Sequence, residues 1–378
     1  MNNYQICKSC VMDTTDPLIK FDNNGICHYC LNFEKNIVPS WNFGMSCEEK
    51  LHKLSKDISS DQNGEFNSII GLSGGTDSSY VAYVAKEKMG LRPLLFHVDA
   101  GWNSDQAVGN IEKIVGGLGL DLYTEVINWQ SMRRMQVAFL KAGIPDQDLV
   151  QDAVFFSCLY KFARKYKVKH IITGYNYSTE CCREPEEWGG YVGIDTILFK
   201  DIWEKYGDGK PIDDFPLVDI FIYKIWYQRI LGLKVHYPLN MLPYIKKNAE
   251  KELNSLFGWL PFQHKHHESR FTRFNEDFWL SKRFGFEKRR SHFSSLIMTK
   301  QMKRQDAIDR LKKPEMDEHL TLREFDYVAN KLELTTDELN KLFELPKKTF
   351  HSFKNKRNLI SLGARISRKL GLEKRYFR

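Results

Sequence analysis

No run of about 18 apolar residues occurs in this 378-residue chain, so nothing in it reads as a membrane-spanning helix. Met1-Asn2-Asn3-Tyr4-Gln5 has neither the basic start nor the apolar stretch of a secretory leader, which makes a cytoplasmic protein the expectation. Cysteine is scarce, with eight residues, and a cytoplasmic setting argues against structural disulfides. Acid is nearly missing from the C-terminal stretch. Lys347–Arg378 holds eleven Lys/Arg against Glu373 alone, so the rest of the chain carries about −2 of the net +8. That basicity belongs to a tail, read as a solvated helix or a dock for an acidic partner, with nucleic acid or anionic membrane as the alternatives. Internal repeats and low-complexity tracts are lacking too, which excludes repeat arrays. With 42% hydrophobic residues, the chain can build one large or two ordinary domains.

Half of the cysteines fall in two pairs, Cys7-Lys8-Ser9-Cys10 and Cys27-His28-Tyr29-Cys30. Two C-x-x-C knuckles separated by a loop suit a tetrahedral four-thiolate Zn²⁺ site, which would let a short segment fold with little core. With all four positions filled by protein, such a metal is structural. A redox C-x-x-C is the rival, but both pairs precede any strand–helix unit.

From residue 47 the pattern alternates. A polar helix is expected over 47–61, then strands at 66–72, 92–98, 121–127 and 168–173. Helices are expected at 77–89, 105–118 and 148–166. Strands alternating with helices argue for an α/β fold with a parallel sheet covered on both faces, whose ligands sit at the carboxyl ends of the strands. Beyond residue 189 the alternation lapses into aromatic-rich helices (221–232 and 243–257), and from about 291 the chain reads as helical. The expected units are a zinc module (1–45), an α/β domain (46–200), a helical extension (201–310) and a helical C-terminal region (311–378).

The first strand runs into Ser73-Gly74-Gly75-Thr76-Asp77-Ser78 and a helix. Glycines let backbone approach an anion, helix-start N–H groups bind it, and Ser73 and Ser78 add hydroxyls. The Lys of a Walker loop is missing, and Asp77 would repel a phosphate unless Mg²⁺ lay between them. The alternative is a plain glycine turn with Thr76 or Asp77 capping the helix. This hexapeptide resembles the loop of the PP-loop ATP pyrophosphatases (N-type), among them NAD, GMP and asparagine synthetases and tRNA thiolases. The resemblance implies a doubly wound parallel sheet of the PP-loop/adenine nucleotide alpha hydrolase-like type. It also implies cleavage of ATP at the α-phosphate, with AMP transferred to a carbonyl oxygen and then displaced. Gly174-Tyr175-Asn176-Tyr177-Ser178-Thr179-Glu180 is similar to the metal-binding segment of NAD synthetases, which makes Gly174 a candidate ATP contact. Glu180 is a candidate Mg²⁺ ligand or substrate-binding acid, although Tyr175 and Asn176 depart from that pattern. Asp99, ending the second strand, stands where the family seats adenosine; His97 reads as a packed strand residue.

Two segments, "STECCREPEEWGGYVG" and "FGWLPFQHKHHESRFTRFNEDFWLSKRFGFEKRRSHFSSLIMTKQMKRQDAI", resemble the N-acetyl sugar amidotransferases of bacterial surface-polysaccharide and nonulosonate pathways. The resemblance runs from the zinc knuckles to about Ile308. It implies conversion of an acetamido group of an N-acetylated sugar, with a nucleotide-linked diacetamido sugar as the expected substrate, to an acetamidino group. Ammonia would come from a glutaminase subunit, with a cyclase-like subunit as a further partner. Neither a stable nucleic-acid complex nor a membrane span is expected. Asp77, Ser73 and Lys265 are the candidate catalytic residues. Trp188, His266, His267, Arg270 and Arg273 are candidate substrate contacts, Tyr191 shares a Gly-flanked loop with Trp188, and the His264/His266/His267/Glu268 group is a weaker metal candidate. Cys158, Cys181 and Cys182 support the alternative of a tRNA thiolase; a non-catalytic zinc adaptor is the second alternative.

Overall fold

The computed structural model describes residues 4–41, 47–61, 64–189, 191 and 195–369. Five strands form one parallel sheet in the order β3-β2-β1-β4-β5: β1 Ser68–Gly71, β2 Pro93–Asp99, β3 Leu122–Val126, β4 His170–Ile172 and β5 Lys234–His236. Alternate residues of the central strands feed two separate cores. Ile69, Leu94, Phe96, Val98 and Ile171 face one, while Ile70, Leu95 and Ile172 face the other. Burial on both faces is what the near-continuous apolar runs require.

The helices are α1 His28–Asn32, α2 Cys47–Ser60, α3 Thr76–Tyr83, α4 Asp105–Leu118, α5 Trp129–Ala142, α6 Leu149–Lys165, α7 Tyr177–Glu180 and α8 Thr196–Tyr206. They are followed by α9 Lys246–Phe257, α10 Arg270–Phe274, α11 Arg289–Met298, α12 Arg304–Leu311, α13 Glu318–Lys331, α14 Thr336–Glu344 and α15 Arg357–Lys369. Wider π-type turns extend α3 to Lys88 and α10 to Phe284, and another forms Ile222–Ile230.

Four strands and their helices lie where the sequence puts them, within about two residues at each end. The fifth does not: β5 pairs with β4 through Ile171↔Val235, so the sheet passes the expected boundary at residue 200. A three-residue strand amid aromatic helices carries no period of its own. Helix α5 has no counterpart among the expected elements, although Asn128 caps its start and Gly143 ends it in the left-handed conformation.

The cysteine module is fused to the C-terminal helices. Arg304 of α12 donates to the carbonyls of Cys7 and Cys10, and Arg290 of α11 donates to Val11 O and pairs with buried Asp13 at 3.0 Å. At the far end, cations of the basic tail are tied down, Lys356 to Asp219 and Arg357 to Glu186. Residues 370–378, the rest of that tail, lie outside the described residues.

Candidate active site

From β1 the sheet extends in both directions, to β2 and to β4, so a switch point opens between the carboxyl ends of β1 and β4. The Ser73–Ser78 loop occupies one side of it and the segment after β4 the other. Gly74 has φ +83°, and a Cβ there would lie 2.4 Å from Ala107 O. Asn110 and Trp259 donate to Gly74 O, holding that carbonyl against protein. Ser73 Oγ accepts from Gly75 N and lies 3.0 Å from Ser78 Oγ. The first N–H groups of α3, which lack intrahelical acceptors, are thereby presented as an anion nest. Gly174 closes the crevice: a Cβ there would sit 2.6 Å from the Asp77 carbonyl. Thr76 is turned toward Glu250, which its hydroxyl meets at 3.2 Å.

Asp77 and Glu180 come together with Lys265. Lys265 Nζ donates to Glu180 Oε1 at 2.8 Å, and Asp77 Oδ1 accepts from the Tyr244 hydroxyl. Burial, then the Glu180 charge, pushes the Asp77 carboxyl above its ordinary range, against the pull of Lys265 and Lys246. Burial also opposes ionisation of Glu180, but Lys265 outweighs it and holds that carboxyl low. Among the described residues the second oxygen of Asp77 makes no hydrogen bond, while the Glu180 carboxylate also accepts one from the Asn176 backbone. Two adjacent carboxylates beside an anion nest fit a hard divalent cation.

Beside this group lies a cavity of about 550 Å³. Glu180, Cys182, Lys246 and Lys265 line it from the sheet side, and Glu276, Lys288, His292 and Arg310 from the helical side. Most of its polar side chains are partnered: His266 and Lys288 on Glu276, Asp277 on His267, His264 on Glu315. The three histidines bind three different acids, so they do not converge as a metal site.

Other expected contacts sit elsewhere. Trp188 is fully buried in the cysteine module's core, stacked on Phe286 with Nε1 donating to Thr15 O, so packing has taken the ring that was expected on substrate. Tyr191 lines the cavity, with its hydroxyl bonded to Asp195. Arg270 and Arg273 are likewise corrected: both grip buried Glu324 (2.8 and 2.7 Å), and neither lines the cavity. Burial resists the Glu324 charge, but the two guanidiniums prevail and its carboxyl is held low. A depressed carboxyl contributes stability above its unfolded value of about 4.3, lost as pH falls through the folded value. Glu324→Gln is therefore expected to cost about 3 kcal/mol in urea unfolding at pH 7, with the deficit shrinking in acid. Asp99 accepts from Gly101 N and Asn103 at the end of β2, and His97, neutral by burial, is held between Leu72 O and Asn103.

The four Sγ atoms of Cys7, Cys10, Cys27 and Cys30 lie within 4.8 Å of one another, with pairs at 3.5, 3.7 and 4.0 Å. A tetrahedron with Zn–S bonds of about 2.3 Å has edges of about 3.8 Å, so the cluster suits one ion held by four thiolates. Backbone N–H groups of Ser9, Cys10 and Cys27 point at Cys7 Sγ, as expected around a thiolate.

Sequence reasoning missed Tyr244, Lys246, Lys288 and Asp152. The first three carry no motif, and only the chain's path brings them to the crevice. Asp152 carries none either, since α6 also holds Gln151, Lys161, Arg164 and Lys165 and nothing local marks this acid out.

Residues 268–367 match the family model described as "LPS biosynthesis protein WbpG-like, C-terminal domain". The match bears out the surface-polysaccharide resemblance and carries it past Ile308, through α13, α14 and most of α15. An uncharacterised protein of Methanocaldococcus jannaschii is 26% identical over 219 residues, 56% of this chain and 73% of its own. Looser likenesses in fold are to an NMN synthetase of Francisella tularensis (17% identity, 78% of this chain, 98% of that one, TM-score 0.31). An NH3-dependent NAD synthetase of Campylobacter jejuni follows (17%, 74% and 99%, TM-score 0.33). A third is a U34-tRNA thiolase of Methanococcus maripaludis with its 4Fe–4S cluster (13%, 83% and 90%, TM-score 0.34). At such TM-scores they add nothing to the strand order and loop geometry given above.

Proposed function

We propose that the protein is an ATP-dependent amidotransferase that activates the acetamido oxygen of a nucleotide-linked diacetamido sugar with AMP and exchanges it for ammonia, leaving an acetamidino group. One observation carries the reading. The anion nest with Asp77, Glu180 and Lys265 abuts a cavity whose opposite wall (Glu276, Lys288, His292, Arg310) comes from the region that matches the LPS-biosynthesis domain. Nucleotide chemistry and a surface-polysaccharide specificity module thus share one chamber.

An amide is a poor electrophile because its oxygen is a bad leaving group. Joining that oxygen to the α-phosphate releases pyrophosphate and makes AMP the leaving group for the attacking nitrogen. In this site the α3 N-terminus and the Ser73 and Ser78 hydroxyls hold the β,γ-phosphates, while Lys265 offsets charge building at the α-phosphate. Asp77 and Glu180 would hold Mg²⁺, which when bound neutralises the departing pyrophosphate. The four cysteines would hold structural Zn²⁺. Ammonia is assigned to a separate glutaminase subunit, with a cyclase-like subunit as its companion. The test is an incubation with ATP, Mg²⁺, ammonium and a panel of diacetamido sugar nucleotides. AMP and a product about one mass unit lighter are expected; ADP would remove the reading.

The thiolase alternative needs a reactive sulfur. Burial pushes the Cys158 thiol up to about 11 and that of Cys181 to about 12, and it raises Cys182 well above the ordinary value. These are buried thiols and poor nucleophiles. Replacing all three by Ala is expected to cost about 1–3 kcal/mol of packing yet keep most ammonia-dependent AMP release. A folded but inactive triple variant would favour the thiolase.

A further inference from the structure

Three aspartates stand within seven residues at the start of α6, and two of them are engaged. Asp146 Oδ1 accepts from Leu149 N. Asp148 accepts from Gln151, Thr272 and Asn275, pinning α6 to α10 and the turn beyond it. Asp152 differs. It lines the cavity, is exposed to it, and among the described residues its carboxylate makes no hydrogen bond or salt bridge. The neighbouring wall is otherwise paired, since Lys288 is shared between Glu184 and Glu276 and His266 is on Glu276. An unengaged carboxylate in a chamber of satisfied charges is a group left for the ligand.

The proposed reaction has an unassigned proton. When the amide oxygen bonds to the α-phosphate, the O–P bond forms, the bond to pyrophosphate breaks, and the C–N bond becomes C=N. The amide N–H must then give up its proton. We propose that Asp152 is the catalytic base that takes this proton from the acetamido nitrogen. Ammonia brings all three hydrogens of the cationic amidine nitrogens as AMP leaves as a dianion, so the proton held by Asp152 is the one the overall reaction releases to solvent. The inference rests on the function proposed above.

The surroundings suit a base. Desolvation, then the Asp148 charge, pushes the Asp152 carboxyl up to about 7, with Glu184 adding and Lys288 and His266 opposing. A base near the working pH is most effective. With Asp146 just before α6, whose own carboxyl is raised by burial and also by Asp152, these four are the charged groups that act on it from α6, the segment after α7, the residues before α10 and those before α11.

Sugar-dependent exchange of labelled pyrophosphate into ATP, run without ammonium, isolates the first step. Asp152→Asn, close in shape, is expected to lower that exchange about 10²–10⁴-fold with KM for the sugar nucleotide within a few-fold and unfolding unchanged or slightly raised. The acid limb near pH 7 in the wild-type profile should vanish, and Asp152→Glu should recover part of the rate. Retained exchange in Asp152→Asn, or loss in KM alone, overturns the assignment. An unfolded Asn variant with a normal acid limb in Asp152→Glu also overturns it. If the wild type exchanges pyrophosphate with no acetamido sugar, the proposed function itself fails, a result distinct from any Asp152 effect.

Discussion

Asp77→Asn is expected to leave the fold intact and reduce AMP formation at least 10²–10³-fold, the scale of losing one charged contact to a reacting phosphate. The substitution is conservative in shape. Asn keeps an oxygen for the Tyr244 hydroxyl, so the first turn of α3 and its contact with Gly174 stay in place. Only the charge goes. A carboxylate at a helix N-terminus facing pyrophosphate is counterproductive unless a cation joins the two, and Glu180 supplies the second half of such a site. The stability outcome has the opposite sign. Because burial and Glu180 hold the folded Asp77 carboxyl above its unfolded value, its charge costs stability at pH 7, and the cost disappears below the unfolded value. Asn removes that cost, so thermal unfolding should be unchanged or slightly raised while activity collapses, as when a site accepts strain for function. Activity within about tenfold of wild type would strip Asp77 of its role. Glu180→Gln should raise the Mg²⁺ concentration needed for half-maximal rate.

How far the sequence anticipates this site depends on whether a residue's task is local. The phosphate loop is legible because its chemistry is written in six consecutive residues between a strand and a helix. The cysteine cluster is legible because metal spacing survives any loop between the knuckles. Trp188, Arg270 and Arg273 mislead for one reason: aromatic rings and guanidiniums serve a core or a buried carboxylate as readily as a ligand, and a linear sequence does not show Phe286 or Glu324 beside them. Asp152 is the converse case. Nothing in its neighbours in sequence separates it from Asp146 and Asp148, and only Thr272 and Asn275, more than a hundred residues away, show which aspartate is occupied. β5 escaped because three residues hold too few alternations to outweigh the helical pattern around them.

Cys10→Ser or Cys30→Ser should do more than release a metal. A structural four-thiolate zinc contributes about 10–16 kcal/mol, comparable with the whole stability of an ordinary domain. The module has little else to hold it, since four of the seven buried residues in its core are the ligands themselves. Its loss would not stay local. One face of α11 carries Arg290 and Ser294, which bind Val11 and Asp13, while the same helix gives Ser291, His292, Phe293 and Leu296 to the cavity. Cys182 belongs to both, packed in the module's core and lining the chamber. With the ligands gone, Asp13 loses its enclosure beside Arg290, Arg304 loses the carbonyls of Cys7 and Cys10, and the wall opposite the phosphate loop loses its support. Metal analysis should find one zinc per wild-type chain and none in the variants, which should be largely insoluble. In any soluble remainder, ATP binding at the loop should outlast sugar-dependent pyrophosphate exchange, because α3 rests on the sheet and α11 on the module. Iron with cluster absorbance in the wild type, or a metal-free variant of full activity, would refute a zinc that shapes the chamber from outside it.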